Sequence, residues 1–210
     1  MRLRAIGAAV AAAAFAASLT FVLAGSVGAA TVTIGQLGGS GSACAADVDF
    51  VQTGPTSLAV PSGNWTVSSW STQAGQGVVG PSAGQLQLEM WRPTATPNAF
   101  MLVGISPVVT TTVSGVNTFT LASPIAVQGG DLLGLRNITH NYGCATQPTS
   151  GTIAGNLDPT APTPGSTVTF TVIGSTAILN VTATLQSVTP PTPPTTTPAP
   201  VVAPVAAFTG

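Results

Sequence analysis

Asp47 and Asp49 are the first side chains in this sequence with the makings of a reaction centre. Two residues apart on a strand, they would share one face at roughly 7 Å from each other by strand rise. That spacing suits an acid and a base flanking a glycosidic bond, or two oxygen ligands for a hard cation. Calcium usually takes six or more oxygens, and no Asp-rich loop surrounds the pair, so solvated strand carboxylates are the default expectation. A hydrolytic triad needs a base, and His140 is the single histidine. It stands between Asn137 and Cys144, no Gly-x-Ser-x-Gly elbow accompanies a strand-to-helix switch, and it reads as a loop histidine near a disulfide. Zinc fails on ligand count, because one histidine remains once both cysteines are paired. The expectation is therefore no catalytic residue, no bound metal and no cofactor. A glycoside hydrolase using Asp47, Asp49 or His140 is the least favoured of three functions. Asp131 follows Gly129 and Gly130, where its carboxylate is expected to cap a turn.

The aromatic residues offer a different chemistry, stacking on the apolar faces of sugar rings. Trp65, Trp70, Trp91 and Tyr142 are flat side chains with polar handles, and they form the candidate ligand-binding set. Trp65 and Trp70 are five apart, so strict alternation points them to opposite faces of a strand. Trp91 falls on the face of Gln85, Gln87 and Glu89, opposite Leu86, Leu88 and Met90. That parity makes Trp91 the expected exposed platform, with Trp70 next. The competing reading, that these rings cover core edges or a second sheet, ranks ahead of glycan binding. Asn64, Asn137 and Asn180 each begin an Asn-x-Thr sequon, a short match that carries little weight by itself.

Strands must position these residues, because the run from Thr31 to Ser187 alternates apolar and polar side chains between Gly, Pro, Asn and Ser breaks. Gln85–Trp91, Thr167–Val172 and Leu179–Gln186 show the period most clearly, and the Gly174-Ser175 link predicts a hairpin between the last two. Weaker candidates are 31–34, 47–53, 65–70, 100–105, 108–113, 116–121 and 131–136, about ten strands in all. No sustained helical stripe occurs, which argues against βαβ units and their nucleotide sites. The fold class expected is all-β, a single two-sheet β-sandwich of jelly-roll or Ig-like type over residues 31–187. By alternation Val51, Met101 and Val103 face outward, which would indicate a second packed sheet or a subunit interface.

The ends of the chain read differently. Arg2 and Arg4 precede an apolar run from Ala5 to Gly25 and small residues up to Ala30, the pattern of a signal peptide over residues 1–30 on the general secretory route. Cleavage is expected after Ala29 or Ala30; an uncleaved anchor is the lesser alternative. Ser26 stands where a lipoprotein signal needs cysteine, and Arg-Leu-Arg is not a twin-arginine signal. Residues 188–210 form a tail rich in Pro and Thr, extended and without a core. Val201, Val202, Val205 and Phe208 suggest docking of that end onto a partner, although a frayed terminus is the preferred reading.

Charge and cysteine usage bound the partners. Without the leader, Arg92 and Arg136 face Asp47, Asp49, Glu89, Asp131 and Asp158, a formal charge of −3 with no lysine. Neutralising phosphates takes several clustered cations, so nucleic acid and anionic membrane surfaces are poor partners. After signal cleavage no membrane span is expected. Cys44 and Cys144, an even pair in an exported chain, are expected to form a disulfide. Closing a loop of about 100 residues would remove roughly 4 to 5 kcal/mol of unfolded-chain entropy.

Three stretches carry a resemblance: Gln-Leu-Gln-Leu-Glu-Met-Trp-Arg-Pro from Gln85, Val-Asn-Thr-Phe-Thr-Leu from Val116, and Pro-Ile-Ala-Val-Gln-Gly-Gly-Asp-Leu-Leu-Gly-Leu from Pro124. Together, within Gln85 to Arg136, they resemble domains in uncharacterised secreted actinobacterial proteins. The resemblance implies a jelly-roll-like sandwich in which the Gly-Asp turn opens a late strand, and it implies no activity. The function expected is an exported, non-enzymatic interaction or structural module, secreted or cell-wall associated. Its partner would be a cell-wall glycan or another envelope protein. Glycan binding through exposed tryptophans stands second and the glycoside hydrolase third.

Overall fold

The computed structural model describes residues 29–38, 41–74, 83–139, 142–146, 150–174 and 176–188. Nearly all of the expected signal peptide, His140, and the expected Pro/Thr tail beyond Val188 lie outside the described residues. Fifteen strand segments follow one another: β1 (Thr31–Gln36), β2 (Gly41–Cys44), β3 (Val48–Gly54), β4 (Asn64–Ala74), β5 (Gln85–Pro93), β6 (Ala99–Ile105), β7 (Val109–Thr110) and β8 (Gly115–Gln128). They continue as β9 (Leu132–Asn137), β10 (Tyr142–Thr146), β11 (Thr152–Asn156), β12 (Thr167–Thr169), β13 (Thr171–Gly174), β14 (Ile178–Leu179) and β15 (Val181–Ser187). The described residues hold no helix long and apolar enough to cross a membrane.

The chain is an all-β sandwich, as the alternation predicts. One layer is an antiparallel sheet in the order β1-β15-β4-β8. The other runs β12-β6-β5-β9-β3-β11-β13, with β7 paired to β5, and a small sheet β14-β10-β2 is added to the two-sheet arrangement. Between the main layers, Val67, Trp70, Val181, Ala183 and Leu185 of the four-stranded sheet meet Phe50, Leu86, Leu88, Met90 and Leu135 of the larger one. The disulfide between Cys44 and Cys144 is formed, with Cα atoms 5.8 Å apart. It links β2 to β10, both cysteines being buried against this core.

Buried amides join the small sheet to the large ones. The Asn137 amide nitrogen donates to the Cys44 and Ala45 carbonyls at 3.1 and 2.9 Å, and that of Asn180 donates to Gln73 and Gly143 at 2.7 and 3.0 Å. Gln52 accepts from the Leu179 amide at 2.6 Å and donates to the Thr152 carbonyl at 3.0 Å. A buried backbone group without a partner costs about 1–3 kcal/mol, so each amide fixes a crossing between sheets. Two of the three sequon asparagines are thus structural.

The larger sheet has an unexpected closure. Its order begins at β12 and ends at β13, yet these are one bent strand interrupted only at Phe170. β12 pairs with β6 and β13 pairs with β11, so the sheet curls into a closed ring. At the bend the Phe170 amide donates to the Asn98 carbonyl at 2.8 Å. The ring interior holds a second core of Val51, Trp91, Phe100, Leu102, Ala154 and Phe170. Phe170 stands edge-on to both Trp91 and Phe100, at 4.9 and 5.5 Å between ring centres. The hairpin expected between Thr167–Val172 and Leu179–Gln186 is not formed. The first segment closes the ring, while β15 lies between β1 and β4 in the opposite sheet.

Candidate functional site

Trp91 is not an exposed platform. Its parity with Gln87 and Glu89 is as expected, but that face lines the ring interior, and Trp91 is 0 % exposed. The indole lies against Gly134, where an added Cβ would sit 2.5 Å from its Cδ1. Trp70 is also buried, at 1 % exposure, and packs on Phe119 at 4.8 Å. Trp65 and Trp70 both reach the main core although five residues apart. The reason is Ser68, an extra residue where Leu185 and Thr184 of β15 pair with Val67 and Ser69; a bulge of this kind reverses the alternation beyond it. Tyr142 lies on β10 opposite Cys44.

The carboxylates also differ from expectation. Asp47 occupies the turn before β3 with a φ of 53° and is exposed, whereas Asp49 is wholly buried inside the ring. They do not share a solvated strand face. Both approach Arg136, which donates to Asp49 and lies 4.0 Å from Asp47. Arg136 also donates to the Pro159 carbonyl at 2.7 Å, and Asn156 donates to Asp49 at 3.1 Å.

Sequence reasoning missed Glu89 as a member of this cluster, because pairing with Asp49 requires β9 to lie between β5 and β3. Glu89 is 0 % exposed and accepts a hydrogen bond from Trp91 Nε1 at 3.1 Å. Burial pushes its carboxyl well above the usual carboxylate range. The neighbouring Asp49 pushes it further, against smaller opposing effects of Trp91 and Arg136, and Glu89 Oε1 is buried without a hydrogen-bond partner. One guanidinium thus faces two buried carboxyl groups, and its direct contact is with Asp49. Both carboxyl groups lie out of contact with solvent.

Trp65 is the half-buried tryptophan of the three. Its indole N–H donates to the Pro61 and Ser62 carbonyls at 3.0 and 3.2 Å, which fixes the ring against the turn before β4. Beside it is a groove of about 360 Å³ lined by Asn64, Trp65, Arg92, Gln128 and Val188, with Ala126 and Val127. Arg92 is held by a bidentate pair to Asp131, Nε to Oδ1 at 2.8 Å and Nη2 to Oδ2 at 2.9 Å. Hydrogen bonding to Asp131 raises the Arg92 pKa. As expected, Asp131 also caps its turn, Oδ2 accepting from the Gln128 amide at 2.9 Å. A further hollow of about 530 Å³ lies under the loop after β11, lined by Asn156, Asp158, Thr160, Pro162, Ser166 and Thr169 among others. There the Thr160 backbone N–H lowers the Asp158 pKa.

The outer face of the four-stranded sheet is a third feature. Its strands carry no ionisable side chain. Thr33, Thr184, Ser69 and Thr120 face one another across all four strands, and Thr182, Ser71 and Thr118 form a parallel row beside Gly35. Adjacent strands are about 4.8 Å apart, and Ser71 and Thr118 hydroxyls hydrogen bond at 2.8 Å. Among known families, curated proteins and solved structures, none matches this chain.

Proposed function

We propose that this chain is an exported, non-enzymatic interaction or structural module working at or outside the cell envelope, free in the medium or held at the wall. The observation that carries the reading is the placement of charge. Asp49, Glu89 and Arg136 are consumed inside the ring, and Arg92 and Asp131 neutralise each other. What faces outward from the four-stranded sheet is an uncharged array of hydroxyls in register. Such a face repels no neutral polymer or protein surface and attracts no nucleic acid. The formed disulfide is compatible with an oxidising compartment.

The test combines fractionation with a surface change. Intact mass in culture medium and washed envelope is expected to begin near Thr31, with both cysteines alkylated only after reduction. Thr184→Glu, which places a charge at the centre of the longer hydroxyl row, is expected to weaken retention on washed envelope while leaving the circular dichroism spectrum unchanged. An uncleaved chain retained inside the cell, with free thiols, would overturn the reading.

Glycan binding remains the second reading, and one observation favours it. Of the aromatic candidates whose side chains are described, Trp65 alone lines a solvent-open groove, with amide and guanidinium groups beside it. Saturable retention on insoluble cell-wall polysaccharide, lost in Trp65→Ala, would support it.

A further inference from the structure

We infer that the groove beside Trp65 is a binding site for one or two rings of an uncharged saccharide. The inference rests on the reading of the chain as a binding module and names what one of its surfaces would hold. Its volume, about 360 Å³, falls at the small end of organic-ligand sites. A sugar ring presents an apolar C–H face and a rim of hydroxyls, and the groove offers a partner for each.

The apolar partner is the Trp65 indole with Ala126, Val127 and Val188 along the wall. Because the indole N–H is committed to the Pro61 and Ser62 carbonyls, the ring is held in place before any ligand arrives, which lowers the ordering cost of binding. The polar partners are planar. Asn64 and Gln128 lie opposite each other on β4 and β8, both exposed. Each amide carries a donor and an acceptor, the pair of functions a hydroxyl requires. Arg92 Nη1 takes no part in the bidentate contact with Asp131 and adds a donor of fixed direction.

Charge decides the class of saccharide. Arg92 is already matched by the buried Asp131 carboxylate at 2.8 Å, and the other lining residues are neutral. An acidic sugar, a phosphate or a peptide carboxylate would have no unmatched cation to meet, whereas a neutral ring loses nothing by this. The two buried tryptophans make the site easy to read, since ligand contact reaches Trp65 alone.

The experiment titrates the intact, disulfide-bonded protein with chitotetraose and with cellotetraose, followed by tryptophan fluorescence and calorimetry, with polygalacturonate as the anionic comparison. A saturable response to at least one neutral oligosaccharide is expected. Trp65→Ala should weaken it about tenfold or more, the scale of losing an aromatic anchor. Trp65→Phe should retain most of the affinity, and Gln128→Ala, at an exposed side chain, should weaken binding without altering the fold. No response to either oligosaccharide, equal binding by Trp65→Ala, or tighter binding of polygalacturonate would each overturn the assignment. Intact mass of the chain in culture medium and washed envelope separates the two readings. If the mature chain is recovered from medium or envelope without oligosaccharide binding, only the saccharide site fails; if the chain is uncleaved and retained inside the cell, the module reading fails with it.

Discussion

Replacing Glu89 by glutamine tests the proton held inside the ring. In the folded protein Glu89 Oε2 accepts from Trp91 Nε1 at 3.1 Å, Oε1 is buried without a hydrogen-bond partner, and burial beside Asp49 raises the carboxyl pKa. A glutamine amide keeps its oxygen toward the indole and can offer its NH₂ toward Asp49, so the substitution is expected to cost within about 1 kcal/mol in mild acid. The difference emerges as pH rises. Because the folded-state pKa is raised, the native protein binds the proton above the unfolded carboxyl pKa of about 4.3, where the unfolded chain has lost it. Wild-type stability is therefore full below that value and falls as pH climbs through the Glu89 folded pKa, at up to about 1.4 kcal/mol per pH unit for one proton. For a domain of this size that slope is roughly 3–6 °C in Tm per pH unit. Urea unfolding of wild type and Glu89→Gln across pH 4 to 9, with the disulfide intact, reads it directly. The variant should show a flatter profile and become the more stable protein at the alkaline end. If both profiles have the same slope, or if Glu89→Gln is strongly destabilised in mild acid, Glu89 is not the neutral partner of Asp49 and the reasoning is wrong.

Arg136→Met removes the counter-charge of buried Asp49, and its expected cost is about 3–5 kcal/mol by urea unfolding; adding Asp49→Asn should recover much of it. Gly134→Ala would put a methyl group 2.5 Å from the Trp91 indole and 2.7 Å from the Phe50 carbonyl. A loss of about 1–3 kcal/mol and a changed near-ultraviolet circular dichroism signal are expected, and an unaltered spectrum would count against the packing described. Replacing Cys44 and Cys144 together by serine opens a loop with a sequence separation of 100, for which a stability loss of about 4–5 kcal/mol is expected in denaturant titration.

Much of this architecture is legible in the alternation of side chains, because a half-buried strand must repeat every two residues. Gln85–Trp91 is strand β5 with Leu86, Leu88 and Met90 in the main core, as its pattern predicts. The Gly-Gly-Asp turn before β9 and its carboxylate cap are equally local and equally readable. Trp91 was misread for a reason of geometry. A period of two separates the faces of a strand but does not say which of them meets water, and in a ring both faces are covered. Val51, apolar on the apparently outer face, was the sequence signal for that second core, and it is wholly buried there. Trp70 was misread because a bulge adds one residue without any mark in the composition.

Composition and local periodicity alone determined that this chain would be built of strands, would carry few charges and would hold two cysteines able to pair. These properties depend on each residue and its immediate neighbours. The tertiary structure decided which residues become a site. The Asp49–Glu89 pair exists because β9 separates β5 from β3, and the groove exists because Trp65 of β4, Arg92 of β5 and Gln128 of β8 meet at one edge of the sandwich. Contacts between residues far apart in sequence depend on strand order and register, and a hydrophobic pattern with a period of two is compatible with many of these orders at nearly equal local energy.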